Sequence, residues 1–287
     1  MKVYLNGEVI DEREALIPAA DRGVLFGDGV FETVRAYGGR PFRMDRHLER
    51  LGAGCRELRI VGVPAAAEVA EAAKELYRLN VVSGDAYIRI TLTGGRFDGD
   101  RILERPGPPN VHMMVKPFEN YPREWYERGK RVIVSAVRAN EGSPLSHIKS
   151  TNYLDNLIAR QEAKDRGADD AVLLNSRGYL TEGTSSNLFL VRRGRITTPD
   201  EECGLLPGVT REAVMELCEE HGQACDTAFL VLDDLLGADE AFFTVSTGEI
   251  VPIAEVEGNA IGLKCPGPIT LGLSGAYRDL VRKELGL

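Results

Sequence analysis

Hydrophobic and polar residues alternate over 3–10, and Asn6-Gly7 interrupts the run. That dipeptide suits a two-residue hairpin turn, because both turn positions need positive φ. A further strand is predicted over Val30–Tyr37, ended by Gly38-Gly39. Leu48, Leu51, Cys55 and Leu58 then recur at spacings of three and four, the mark of a helix with one buried face. Asp45 is its expected N-cap, and Arg46 and Arg50, four apart, share one side of it. Another helix is predicted over 66–80, rich in Ala and Glu. In the strand predicted over Ala86–Leu92, Tyr87, Arg89 and Thr91 take one face and Ile88 and Ile90 the other. A glycine-rich loop over Thr93–Asp100 and a strand over Val111–Val115 follow.

Two prolines and mixed polarity over 117–124 predict a connection. The expected organisation is a smaller domain at 1–117, a connecting segment at 118–130 and a larger domain at 131–287. Within the latter, the pattern predicts a strand over Arg131–Val137 and a helix from about Asn152 to Arg166, stopped by Gly167. Lys149 stands at the mouth of that helix. Strands are predicted over Asp170–Leu174, Tyr179–Glu182 and Asn187–Val191, and a helix from Thr210 to Gly222. A strand over Thr227–Val231, a turn at Asp233–Leu236, a strand over Ala241–Val245, a hairpin and a helix over 272–285 complete the chain. Strands and helices do not alternate strictly, so the fold class is α+β, a mixed α/β architecture.

Composition narrows the function. The 287 residues carry a net charge of −9 with no basic block, which disfavours nucleic acid as the partner. Five scattered cysteines form no C-x-x-C pair, as expected of reduced thiols in a cytoplasmic protein. The four histidines show no zinc-site spacing, so no metal is expected. The N-terminus lacks a signal-peptide core, and no apolar run is long enough to span a bilayer.

Several stretches offer chemistry, and each has a plain structural alternative. Lys149, in His147-Ile148-Lys149-Ser150-Thr151-Asn152-Tyr153, could supply an amine or simply reach into water. Glu182, before the small polar bend Gly183-Thr184-Ser185-Ser186-Asn187, could hold a pyridine nitrogen protonated or lie on a surface turn. Leu206-Pro207-Gly208-Val209-Thr210 sets free amides at a helix start, an anion cup or an ordinary cap. Arg50 could fork onto a phosphate or face solvent. Ser246-Thr247-Gly248 could add a hydroxyl and amides or form a plain turn. The three glycines of 20–35 do not make G-x-G-x-x-G, so no dinucleotide site is expected. A lysine amine, a carboxylate and an anion cup are together what pyridoxal 5′-phosphate (PLP) requires.

These residues occur in order in a set that resembles the fold-type IV PLP-dependent aminotransferases. The set comprises Arg50 in His-Leu-Glu-Arg-Leu, Lys149, Glu182 in Glu-Gly-x-x-x-Asn-Leu-Phe, and Leu-Pro-Gly-Val-Thr-Arg. The family includes branched-chain and D-amino-acid aminotransferases and aminodeoxychorismate lyase. The resemblance implies a small α+β N-terminal domain, a larger pseudo-barrel domain and a homodimer. It implies that Lys149 carries PLP and shuttles the proton, and that Glu182 pairs with the ring nitrogen. Arg50, Val209, Thr210 and Ser246 would hold the phosphate, and Tyr153 or Asn152 would lie near the ring edge. Phe31, Tyr87, Arg89, Thr247 and Gly248 would line the substrate pocket. Phe31-Glu32 and Tyr87-x-Arg89 resemble the branched-chain enzymes, although Thr33 stands where they usually have glycine. Phe26-Gly27-Asp28-Gly29 is similar to the D-specific enzymes, for which Arg96 would bind carboxylate, but no histidine accompanies it. The expected activity is transfer of an amino group between an amino acid, branched-chain and L, and a 2-oxo acid such as 2-oxoglutarate. A D-amino-acid or (R)-amine transaminase and a PLP lyase are the alternatives.

Overall fold

The computed structural model describes residues 1–99, 102–105 and 107–287. Asp100, the last residue of the expected glycine-rich loop, lies outside the described residues. The chain forms two compact units, Met1–Glu119 with Ile148–Asn152, and Asn120–His147 with Tyr153–Leu287.

The first unit contains β1 (Lys2–Leu5), β2 (Glu8–Asp11), α1 (Arg22–Phe26), β3 (Gly29–Tyr37), β4 (Arg40–Pro41), α2 (Met44–Glu57), α3 (Ala66–Asn80), β5 (Ala86–Thr93) and β6 (Asn110–Pro117). Asn6 and Gly7 both adopt positive φ, as the hairpin turn requires. The strands form one sheet in the order β2-β1-β6-β5-β3-β4, with every pairing antiparallel. Alternation sends Val34, Ala36, Ile88, Ile90, Met113 and Val115 toward α2 and α3, where Leu51, Cys55, Val69 and Leu76 complete a core. Phe31, Thr33, Tyr87 and Arg89 fall on the opposite face.

The second unit contains α4 (Arg123–Glu127), β7 (Lys130–Ala139), α5 (Leu154–Asp165), β8 (Asp170–Asn175), β9 (Leu180–Gly183), β10 (Asn187–Arg192), β11 (Arg195–Pro199), α6 (Val209–Glu220), β12 (Cys225–Ala228), α7 (Leu232–Leu236), β13 (Glu240–Val245), β14 (Glu249–Val256), β15 (Asn259–Ala260) and α8 (Pro268–Leu285). Six strands follow one another as β10-β13-β14-β7-β8-β9, and β9 returns to pair with β10. This closes a barrel-like ring through the register pair Glu182–Asn187. Buried Leu174, Leu180, Leu188, Leu190, Phe243 and Ile253 belong to its apolar core.

Four expectations change. Helix α2 starts one residue before Asp45, with Arg43 in the left-handed region as its cap. Asp45 instead lies in the first turn, where its charge still favours the helix dipole. Lys149 is not at the mouth of a helix, since α5 begins only at Leu154. Residues 149–151 are held to β3: Phe31 N–H donates to the Lys149 carbonyl at 2.8 Å, Thr151 N–H donates to the Gly29 carbonyl at 2.9 Å, and Ser150 bridges Val30. The segment expected to connect domains, 118–130, contains α4, and from Asn120 it belongs to the second unit. Its aromatic side chains explain this: Trp125 Nε1 donates to Asp169 at 3.3 Å and Tyr126 Oη to the Gly248 carbonyl at 3.1 Å. Finally, the expected turn at 233–236 is helix α7, and β12 ends at Ala228 rather than Val231.

Candidate active site

The candidate residues fall into two sets, one in each unit. In the first, β3 does most of the positioning. Its Phe31 N–H fixes the Lys149 backbone, and its Phe31 ring carries two cations. Lys149 Nζ lies 4.7 Å from the ring centroid and the Arg89 guanidinium 3.8 Å. The ring's negative face stabilises such a cation by about 1–2 kcal/mol where water is thin.

One residue along β3 the chain turns its side chain to the other face, and Glu32 is fully buried there. Arg50 grips it with both arms, Nε to Oε1 at 2.7 Å and Nη2 to Oε2 at 2.8 Å. His47 Nδ1 lies 2.7 Å from Oε2. Burial by itself would push the Glu32 carboxyl up, but the Arg50 charge and the bonds from His47 and Arg50 outweigh it and hold it at about 2. Burial lowers the His47 pKa; the Glu32 carboxylate opposes that, while the Arg50 and Lys149 charges reinforce it. A neutral imidazole donating Nδ1–H to an ionised Glu32 satisfies both shifts. Arg46, on the same helix, instead reaches Glu49 at the surface. Tyr87 sits beneath Lys116, whose Nζ is 5.2 Å from its ring. Arg96 pairs with Asp98 at 2.9 Å, its side chain 70% exposed.

In the second unit, Glu182 is the penultimate residue of β9 and Asn187 begins β10. Asn187 Nδ2 donates to Glu182 Oε2 at 3.2 Å and to the Leu206 carbonyl at 2.8 Å, while Leu206 N–H donates to the same Glu182 oxygen at 3.3 Å. The carboxylate is thus oriented from two directions. Gly208 caps α6, and no side chain caps that helix. Val209 and Thr210 are buried. The amides of a first turn have no intrahelical partner and sit at the positive end of the dipole. A Cβ on Gly208 would come 1.9 Å from Asn187 Oδ1, so the closeness of this turn to Asn187 requires glycine. Tyr153 Oη donates to the Thr184 carbonyl at 3.1 Å. Ser246 is half-buried in the turn after β13, and Thr247 Oγ1 lies 2.7 Å from Tyr121 Oη.

Three features escape a reading of the sequence. Glu32 and His47 are visible as residue types, but the burial that charges one and neutralises the other is tertiary. Asn187 stands in the Glu-Gly-x-x-x-Asn stretch without a role. Tyr121 lies in the expected connection, where only the clustering of Tyr121, Trp125 and Tyr126 signals packing.

PLP asks for an amine, an acid at its ring nitrogen and an anion cup. The first unit offers an amine against an aromatic ring, and the second an oriented carboxylate and a buried helix start without a side-chain cap. The donor set fits the cofactor. Among the described residues no group of three or more His, Cys, Asp or Glu is placed to hold a metal ion, and no helix is long and apolar enough to cross a membrane.

Comparison with known proteins agrees. A Methanocaldococcus jannaschii protein provisionally named a branched-chain-amino-acid aminotransferase is 37% identical over 99% of this chain and 97% of its own. The D-alanine aminotransferase of Bacillus licheniformis is 33% identical over 99% and 98%. The aminodeoxychorismate lyase of Bacillus subtilis is 34% identical over 99% and 96%. Among solved structures, the branched-chain aminotransferase of Thermoproteus uzoniensis superposes with TM-score 0.91 at 33% identity, covering 98% of this chain and 94% of that one. A second branched-chain aminotransferase, solved with pyridoxamine 5′-phosphate, also gives 0.91 at 29% identity, covering 98% and 93%. Residues 29–256 match the family described as amino-transferase class IV, and the chain therefore belongs to the class IV aminotransferases, PLP-dependent enzymes of fold type IV.

Proposed function

We propose that the enzyme moves an amino group between a branched-chain L-amino acid and a 2-oxo acid such as 2-oxoglutarate. The observation that carries this reading is the Phe31 ring with Arg89 stacked on it at 3.8 Å. One side chain offers apolar surface to an aliphatic substituent, and the other offers a fixed guanidinium to the second carboxylate of a dicarboxylic acceptor. The D-specific alternative has support in the Bacillus licheniformis relative. It depends on Arg96, however, and Arg96 is engaged by Asp98 in an exposed loop.

The assignment of residues follows the family resemblance and the geometry within each unit. Lys149 Nζ would hold PLP covalently and, once released by the substrate amine, carry the proton taken from the substrate Cα. PLP supplies the aldehyde for that exchange and a ring that accepts the electron pair of the broken Cα–H bond. Glu182 would keep the ring nitrogen protonated, with Asn187 and Leu206 orienting it. Arg50, the Val209 and Thr210 amides and the Ser246 hydroxyl would hold the phosphate, and Tyr153 would bound the ring edge. Phe31, Tyr87, Arg89, Thr247 and Gly248 would contact substrate, and Arg96 would do so only in the D-specific reading. A homodimer is part of the proposal. Exposed Leu154, Leu157 and Ile158 along α5 form an apolar surface that a second copy would cover.

The deciding experiment is a half-reaction without keto acid, followed by the visible band of the bound cofactor. L-Leucine alone should discharge the band. Discharge by D-alanine alone would move the enzyme to the D-specific group, and a stable band with both would favour the lyase.

A further inference from the structure

Two buried charges in the second unit have no role in the reaction as drawn above. Lys130, at the start of β7, is 5% exposed, and Asp170, at the start of β8, is 1% exposed. Lys130 Nζ lies 2.7 Å from Asp170 Oδ2 and 4.3 Å from the centre of the Trp125 ring. An ion pair this deep is costly to desolvate, and an apolar pair of similar volume often serves stability as well. Its contacts point elsewhere. The other oxygen, Asp170 Oδ1, accepts from the buried Thr184 hydroxyl at 2.6 Å and from Ala171 N–H at 3.0 Å. Thr184 belongs to the bend between Glu182 and Asn187. Its carbonyl accepts from Tyr153 Oη at 3.1 Å and from Asn156 Nδ2 at 3.0 Å. The same bend joins β9 to β10 and closes the ring of strands through the Glu182–Asn187 pair.

We propose that Lys130, Asp170 and Thr184 are positioning residues, a buried relay that fixes the 183–186 bend and thereby sets the Tyr153 hydroxyl and the Glu182 carboxylate toward PLP. The inference rests on the roles proposed above for Tyr153 and Glu182. Each link is directional. Lys130 orients the Asp170 carboxylate. The carboxylate leaves one oxygen for the Thr184 hydroxyl. Thr184, held by its side chain, presents its carbonyl to Tyr153. Loss of the middle hydroxyl disconnects the charge pair from the bend without removing a charge or opening a cavity.

Thr184→Val tests this, since it keeps the volume and branching and removes only the hydroxyl, while Thr184→Ser restores it. Glu182→Gln reports on the underlying assignment. On each holoenzyme the rate of PLP release and the pH midpoint of the visible band would be measured beside the thermal midpoint. Thr184→Val should speed release about tenfold, the scale of one lost bond to a charged group, and should move the pH midpoint, while Thr184→Ser stays near wild type. If Glu182→Gln changes both readouts and Thr184→Val changes neither, or changes only the thermal midpoint, the relay is refuted and the Glu182 role stands. If Glu182→Gln also leaves both unchanged, the assignment of Glu182 fails and the relay with it. Asp170→Asn should repeat the Thr184→Val result, and a folded Asp170→Asn enzyme with wild-type release and pH midpoint would count against the proposal.

Discussion

Glu32→Gln is the sharpest test of how the first unit is built. The substitution keeps the shape and removes the charge that Arg50 and His47 enclose. The Glu32 carboxyl moves from an ordinary 4.5 to about 2 on folding, which corresponds to about 3 kcal/mol of stability at neutral pH. Breaking one partner of a buried pair costs about 3–5 kcal/mol, the same scale. At about 2–4 °C per kcal/mol the thermal midpoint should fall by about 6–12 °C, measured with free PLP held constant because bound ligand raises it. The pH dependence has a definite sign. A carboxyl with a lowered folded pKa stabilises fully above its unfolded value and loses that contribution as pH falls from about 4.5 toward 2. The gap between wild type and Glu32→Gln should therefore be constant above about pH 5 and narrow below it. A midpoint within about 1 °C of wild type, or a gap that persists undiminished through about pH 3, would refute the reasoning.

Other outcomes follow from the same geometry. Lys149→Ala should abolish transamination and the covalent visible band, and full turnover would sink the assignment of the reactive lysine. Gly208→Ala should weaken PLP binding more than about tenfold by fluorescence titration, because its new Cβ meets Asn187 Oδ1 and displaces an amide whose Nδ2 is bonded to Glu182 and the Leu206 carbonyl. Thr33→Gly, opposite Arg89 in the sheet register, should lower KM for longer aliphatic amino acids while leaving PLP affinity unchanged. His47, whose pKa is lowered from 6.5 mainly by burial, contributes stability that is full above its unfolded value and lost as pH falls through its folded value. His47→Asn should flatten the acid limb of a plot of thermal midpoint against pH below 6.5.

Local pattern carries most of the secondary structure, because each element is written in a period that burial on one face enforces. The α3 helix runs over the predicted span 66–80, and β5 divides Tyr87 and Arg89 from Ile88 and Ile90 as alternation requires. Boundaries slip where a distant partner intervenes. The sequence predicts α5 from Asn152, but pairing with Gly29 and Phe31 holds residues 149–151 extended until the helix can begin at Leu154. The 118–130 segment reads as a connection by composition, yet its aromatic residues pack against Asp169, Thr247 and Gly248, more than 40 positions later.

Chemical identity is legible because its parts are residue types in fixed order: a lysine, a glutamate before a small polar bend, and a Pro-Gly helix start. The sequence alone thus determined the class of cofactor chemistry, the α+β class and most element positions. Tertiary structure alone decided the state of the supporting groups. Only folding buries Glu32 between Arg50 and His47, closes the ring of strands at Glu182–Asn187, and connects Lys130 through Asp170 to the Thr184 hydroxyl. Charge state and hydrogen-bond orientation depend on what surrounds a group within a few ångströms, and those neighbours come from positions 5 to 40 residues away.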